Sequence, residues 1–199
     1  MTPRIRVARE QDAQAVADIY APAVSGRATS FELRPPDATE MSRRIVTVLP
    51  QYPWLICESS ETVLGYVYAT THRERAAYRW SVDVAAYVRT DGQRRGIARA
   101  LYTALFEILG LQGYRNAYAG ITLPNPASVQ MHKAMGFEQV GIYHQVGYKF
   151  GKWHDVAWFE RPLAEHVLEP SEPIAFSMLA TSLEAKAAFA RAEGLIKPS

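Results

Sequence analysis

Tyr87-Val88-Arg89-Thr90-Asp91-Gly92-Gln93-Arg94-Arg95-Gly96-Ile97-Ala98-Arg99-Ala100-Leu101 joins two kinds of sequence pattern. An apolar run beginning at Trp80 ends at Val88, a polar turn follows, and Ile97, Leu101, Leu105 and Ile108 then share one helical face. The pattern is strand, tight loop, helix start. The first N–H groups of a helix lack intrahelical partners and lie at the positive end of its dipole, so a loop exposing them suits a phosphate or pyrophosphate. Gly96, without a Cβ, is expected to let an anion approach the backbone closely. The loop has no Lys-Ser/Thr pair of the Walker kind, and Gly96 alone does not make a dinucleotide fingerprint. Its own pattern is Gln93-Arg94-Arg95-Gly96-Ile97-Ala98.

Downstream, Gly110 to Gly113 breaks the helix before an apolar strand from Asn116 to Thr122, which makes a βαβ unit and predicts parallel pairing of its two strands. Asn125 as N-cap and Pro126 at the first helical position start a helix that runs to Met135, with Gly136 as its left-handed terminator. Phe137 to Val146 and Val156 to Arg161 read as closing strands joined through residues 147–155. Upstream lie a strand at Ile5–Ala8, a helix over Asp12–Val24 and a polar loop, residues 25–36, that carries Phe31. A capping box at Asp37–Glu40 opens a second helix, which Pro50 ends. A hairpin follows, Trp54–Glu58 with Val63–Thr70, in which Gly65 marks a bulge or a close backbone approach. The basic loop from Thr71 to Ala77 leads into a long strand from Tyr78 to Val88. Residues 1–163 thus form one α/β domain. Residues 164–199 read as a linker around Glu169–Pro173 and a helical extension opened by a capping box at Thr181–Glu184.

A chain of 199 residues with 48% hydrophobic content and a formal charge of +2 suits one globular domain and gives no argument for nucleic acid or an anionic membrane. Cys57 is the single cysteine and sits in Trp54-Leu55-Ile56-Cys57, so a buried structural thiol is expected and an internal disulfide is impossible. No run has the length of a membrane span and the first residues show no apolar leader, which predicts a cytoplasmic protein. His72, His144, His154 and His166 show no ligand spacing, so no metal is expected.

The Gln93–Ala98 loop resembles the acetyl-CoA pyrophosphate loop of the GCN5-related N-acetyltransferases (GNAT). A second segment, Asn125-Pro126-Ala127-Ser128 through Lys133-Ala134-Met135-Gly136-Phe137, is similar to that superfamily's Asn-x-x-Ala/Ser…Gly-Phe pattern. Tyr52-Pro53-Trp54-Leu55, Ala77-Tyr78-Arg79-Trp80, Ser128-Val129-Gln130-Met131-His132 and the run from Gly147 to Val156 resemble the phosphinothricin and methionine sulfoximine N-acetyltransferases. The resemblance implies the GNAT fold, a mixed sheet of about six to seven strands flanked by four helices, over roughly residues 4 to 163. It also implies acetyl-CoA as co-substrate, held by Ala86, Tyr87, Val88, Gln93, Arg94, Arg95, Gly96, Ile97, Ala98, Asn125 and Ser128. The acceptor it implies is the α-amino group of a small amino-acid analogue, and the expected assembly is a homodimer. Another amine, such as a peptide N-terminus or a polyamine, and a non-catalytic acyl-CoA-binding module are the alternatives.

Acetyl transfer from a thioester to an amine needs the amine deprotonated, the carbonyl polarised and a proton for the leaving thiolate. Asp83 lies in an apolar strand, where a carboxylate is either bonded to a neighbouring loop or turned toward a cleft with a raised pKa. The resembled family usually has Glu there, one methylene longer, so Asp83 reaches an amine directly or through water. His132 shares a helix face with Asn125 and Ser128, and is either a proton relay near the cofactor sulfur or a satisfied core histidine. Given the resemblance, Asp83 and His132 are the expected catalytic residues. Arg75 offers a fork for carboxylate or phosphinate oxygens, and Tyr78 and Phe31 are the expected aromatic walls of the acceptor site.

Overall fold

The computed structural model of the chain describes residues 3–197, so Met1, Thr2, Pro198 and Ser199 of the two expected spans lie outside it. β1 (Arg4–Val7), β2 (Trp54–Ser59), β3 (Thr62–Thr71), β4 (Ser81–Val88), β5 (Asn116–Thr122), β6 (Glu138–Lys149) and β7 (Lys152–Pro162) form one sheet in the order β1-β2-β3-β4-β5-β7-β6. Every neighbouring pair is antiparallel except β4 and β5, which are parallel as the βαβ pattern predicts. The helices are α1 (Ala13–Ser25), α2 (Ala38–Val48), α3 (Ile97–Gln112), α4 (Pro126–Ala134) and α5 (Leu183–Glu193).

Period-two alternation assigns the faces of the sheet. Val82 and Val84 of β4, Ala117 and Ala119 of β5, and Ala157 and Phe159 of β7 share a core with α3 and α5. Asp83 and Tyr87 therefore point to the opposite face, where Tyr87 meets Tyr20 of α1 edge-on at 4.9 Å and stacks on Tyr66 at 5.4 Å. α1 and α2 cover that face over β2 and β3. Gly65 marks a close approach: a Cβ there would lie 2.8 Å from the Tyr87 carbonyl oxygen.

Several boundaries shift by a residue, and three differences from the sequence reading bear on the site or the extension. β4 starts at Ser81, because Ala76–Tyr78 forms a single 3-10 turn in which the Tyr78 N–H donates to Arg75 O at 2.9 Å. β6 and β7 run through most of the segment expected to be a connection. Phe150 and Gly151 (φ +53° and +76°) turn the chain between them. In the extension the cap of α5 is Ser182, whose Oγ accepts the Ala185 N–H at 3.1 Å, and not Thr181.

The extension packs into the main core. Ala185, Ala188 and Ala192 are fully buried in the cluster built on α3, and Phe176 before them is buried too. Arg191 donates to Glu107 of α3 at 2.5 Å, and Glu193 accepts the Ile5 N–H of β1 at 2.6 Å. Gln112 donates its amide both to Gln51 O and to Ile174 O, at 2.9 and 2.8 Å, which ties the linker to the end of α3.

Candidate active site

Strands β4 and β5 are paired only from Ser81–Asp83 to Asn116–Tyr118. Past that point β5 stays with β7 to Thr122, so the edge of β4 from Val84 to Val88 that faces away from β3 carries no strand. A wedge opens there, and a helix start follows the strand on each side of it: α3 after β4, α4 after β5. α3 begins at Gly96 (φ +82°) with no side chain capping its first N–H groups, and Arg94 before it is also left-handed (φ +64°). Gln93 and Arg94 are exposed, Arg95, Gly96 and Ala98 half-buried, and Ile97 is core. Uncapped N–H groups on a left-handed glycine turn fit a pyrophosphate, and an open strand edge fits an extended amide-bearing arm.

The first expectation for Gly96 needs correction. The side of its Cα where a Cβ would stand is filled by the Leu195 carbonyl oxygen, 2.6 Å from that position. Glycine is required by the positive φ and by the C-terminal chain, which leaves the N–H side as the open side of the loop.

At the crotch of the wedge stands Asp83, whose Oδ1 accepts a 2.6 Å hydrogen bond from His72 Nδ1. Thr70 pairs with Asp83 in the β3–β4 register, so His72, two residues on, is a diagonal same-face neighbour of Asp83. The imidazole stacks on Tyr118 at 4.2 Å and meets the edges of Tyr78 and Trp158 at 5.9 and 6.3 Å. Arg73 lies over the Trp158 ring at 5.5 Å and bonds the His72 carbonyl. Burial pushes the Asp83 carboxyl up from the ordinary range, and the His72 hydrogen bond pulls partly against it. The Asp83 side chain keeps 31% of its surface exposed, so a proton can leave or arrive. The result is a carboxylate–imidazole pair in an aromatic collar at the mouth of a cleft.

Thr70 also lines a cavity of about 190 Å³ with Tyr20, Arg44, Trp54, Tyr66 and Tyr68. Pockets for drug-sized ligands run to about 300–1,000 Å³, so this space suits a small acceptor. Glu32 of the α1–α2 loop accepts from Arg44 at 2.7 and 3.1 Å and from the Tyr20 hydroxyl at 2.9 Å. The loop is pinned to the end of α1 by Lys149, whose buried ammonium donates to Val24 O of α1 and to Ser30 O and Glu32 O of the loop, at 2.6, 2.7 and 2.7 Å.

Of the residues expected at the acceptor, Tyr78 borders the pair through His72. Arg75 sits exposed at the head of the 3-10 turn. Phe31 packs across Gly147, 6.2 Å from the His154 ring. Asp83 shares a sheet row with Glu160 through Tyr118, and His154 is six residues from Glu160. The residues flanking Phe31, Ser30 and Glu32, nonetheless bond the Tyr20 hydroxyl at 2.7 and 2.9 Å, so the loop that carries Phe31 borders the cavity beside Thr70. His132 lies with Tyr102, Phe137 and Phe159 on the α3 side of the sheet, 6% exposed. Its Nδ1 donates to Ser128 O at 2.8 Å, which leaves Nε2 to accept from the Tyr102 hydroxyl at 3.1 Å, and burial pushes its pKa down. Asn125 Oδ1 accepts the Ser128 N–H at 3.2 Å as the cap of α4. Asp83 and His132 are thus on opposite faces and do not touch.

His72, Arg73, Tyr118 and Trp158 complete the cluster, and the sequence alone gives none of the four a role in the site. The alternation of β3 continued through His72 would have put His72 on the Asp83 face, given the register.

A family model described as an acetyltransferase (GNAT) domain matches residues 5–158. The phosphinothricin N-acetyltransferase of Alcaligenes faecalis is 38% identical over 161 residues, 80% of this chain and 82% of that protein. The L-methionine sulfoximine/L-methionine sulfone acetyltransferase of Salmonella typhimurium is 31% identical over 81% of this chain and 95% of its own. The crystal structure of a GNAT superfamily phosphinothricin acetyltransferase from Sinorhizobium meliloti, in complex with acetyl-CoA, superposes with a TM-score of 0.81 at 33% identity. It covers 86% of this chain and 95% of that one. The chain belongs to the GNAT acetyltransferases, in the branch of the phosphinothricin and methionine sulfoximine N-acetyltransferases, and is an acyltransferase.

Proposed function

We propose that this chain transfers an acetyl group from acetyl-CoA to the α-amino group of a small amino-acid analogue of the phosphinothricin or methionine sulfoximine kind. The observation that carries this reading is the end of β4–β5 pairing at Asp83. It joins an acid–base pair and a small cavity to an open strand edge that leads to the uncapped start of α3.

Acetyl-CoA supplies the activated acyl group. The edge Ala86–Val88 and the backbone of Gln93–Ala98 hold it, with Asn125 and Ser128 on the far lip of the wedge. Asp83 takes the amine proton, its raised pKa bringing the carboxylate nearer to the basicity the task needs, while the amine nitrogen bonds the acetyl carbon, the C–S bond breaks, and the departing thiolate takes its proton from solvent at the open mouth of the cleft. His72 orients Asp83, while Tyr78, Arg73 and Arg75 meet the acceptor's anionic end. Cys57 takes no part in transfer: it is fully buried and desolvation pushes its thiol up to about 12, which favours direct transfer over a cysteine acyl intermediate. His132 serves the site by holding the start of α4 through Ser128. The exposed Tyr148, Phe150 and Trp153 of the β6–β7 hairpin support a homodimer, and a cytoplasmic location fits a coenzyme of metabolism.

A second reading has His72 as the base with Asp83 orienting it, favoured by the 2.6 Å bond and by Asp83 being one methylene short of the usual Glu. Thiol release from acetyl-CoA, with L-phosphinothricin, L-methionine sulfoximine, glutamate and spermidine as parallel acceptors, tests the function. A marked preference for either analogue is expected, and turnover of spermidine alone would remove the acceptor assignment. Asp83→Asn is expected to lose about 10² to 10⁴ in kcat. In His72→Ala the downward pull on Asp83 is gone, so its pKa rises further and the acid limb of kcat/KM moves to higher pH. Loss of activity at every pH in His72→Ala, with Asp83→Asn partly active, would make His72 the base.

A further inference from the structure

The coenzyme loop is held from behind by a part of the chain that lies after the matched GNAT domain. Following α5, Leu195 and Ile196 continue in a turn, with their N–H groups donating to Ala192 O and Glu193 O at 3.0 Å each. The Lys197 N–H then donates to Arg95 O at 2.9 Å, and the Leu195 carbonyl occupies the Cβ side of Gly96. Arg95 is half-buried, and its charge and that of Glu193 both act on the Cys57 thiol. Arg94 and Arg99 are exposed. The tail thus contacts the two residues whose backbone sets the direction of the first free N–H groups of α3. Ile196 packs on the main core and fixes the tail to it.

We propose that Leu195–Lys197 is a strap that sets the coenzyme loop in its binding conformation, so that seating of the C-terminal segment and affinity for acetyl-CoA are coupled. The inference rests on reading Gln93–Ala98 as the coenzyme loop. A loop held in advance loses less backbone freedom when the ligand arrives, and coupling between two sites is reciprocal. A strap that favours acetyl-CoA must therefore be favoured by it.

Two measurements on the full-length protein test this. Amide hydrogen exchange at Lys197 is expected to slow by about fivefold or more when acetyl-CoA saturates the protein. Ile196→Ala, which loosens the anchor and leaves the loop sequence intact, is expected to raise KM for acetyl-CoA by about fivefold while the acceptor KM and kcat stay put. Phe176→Leu, at the remote end of the extension, is the control: it lowers Tm and moves neither KM. If acetyl-CoA binds and Lys197 exchange does not change, or if Ile196→Ala lowers Tm with both KM values intact, the strap is only structural and the proposal falls alone. If the wild-type protein binds no acetyl-CoA, the reading of the loop falls and the strap with it.

Discussion

Asp83 carries two consequences of one fact, its place in an apolar strand. Burial raises its pKa, and the His72 bond restrains that rise. A carboxyl whose folded pKa is raised binds its proton more tightly folded than unfolded, so its contribution to stability is present at low pH and is lost as pH rises through the folded value. The site is thereby destabilised where it works. Cys57 shows the contrasting case, a buried group that keeps its proton and stays out of the chemistry. Cys57→Ala is expected to keep kcat and both KM values within about twofold while lowering stability by roughly 1 kcal/mol through a small cavity. A burst of thiol release that disappears in this variant would instead place a covalent acyl step on Cys57. Asp83 was legible as a candidate from its apolar neighbours, but its partner was not. Which residue of the basic loop meets it depends on the pairing of Thr70 with Asp83, a hydrogen-bond register that hairpin composition alone leaves open.

At the scale of elements, the βαβ unit, the hairpin and the start of α4 were legible because turn chemistry and periodicity agree in each. The β6–β7 arms were not. Gly147, Phe150 and Gly151 read as loop residues, yet strand pairing persists to Lys149 and Lys152 with one tight turn between them. That extra length places Lys149 beneath the α1–α2 loop. The loop has few apolar residues to bury, so three carbonyls on one ammonium do the holding. Lys149→Met keeps the stem and leaves those carbonyls without their donor, which is expected to cost about 2–4 kcal/mol. It also frees Glu32, and with it the position of Arg44 at the cavity. Acceptor KM is expected to rise severalfold with acetyl-CoA KM unchanged, read from crossed substrate titrations. Equal changes in both would mean that the loop does not shape the acceptor side in particular.

For the whole molecule, the first strand is held by the last helix through Glu193 and to its neighbours by a charge network of its own, and that network can be tested. Arg6 donates to both carboxylate oxygens of Asp12 at 2.7 Å and to Glu58 Oε2 at 2.8 and 2.6 Å, joining β1, β2 and the turn before α1. Asp12 and Glu58 are 6% and 5% exposed. Removing one partner of such a network strands buried charge, at about 3–5 kcal/mol. For a chain of this size that corresponds to a fall in Tm of roughly 10 °C for Arg6→Ala. The pH dependence follows from Glu58, which Arg6 holds below the ordinary carboxylate value of 4.5. A depressed folded pKa contributes stability above the unfolded value, and that contribution is lost as pH falls through the folded one. The gap in Tm between wild type and Arg6→Ala should therefore be full at pH 7 and narrow below about pH 4.5, as the wild type loses what the variant already lacks. A gap that stayed constant between pH 7 and about pH 3 would show that Arg6 acts by packing its stem and not through the carboxylates it joins.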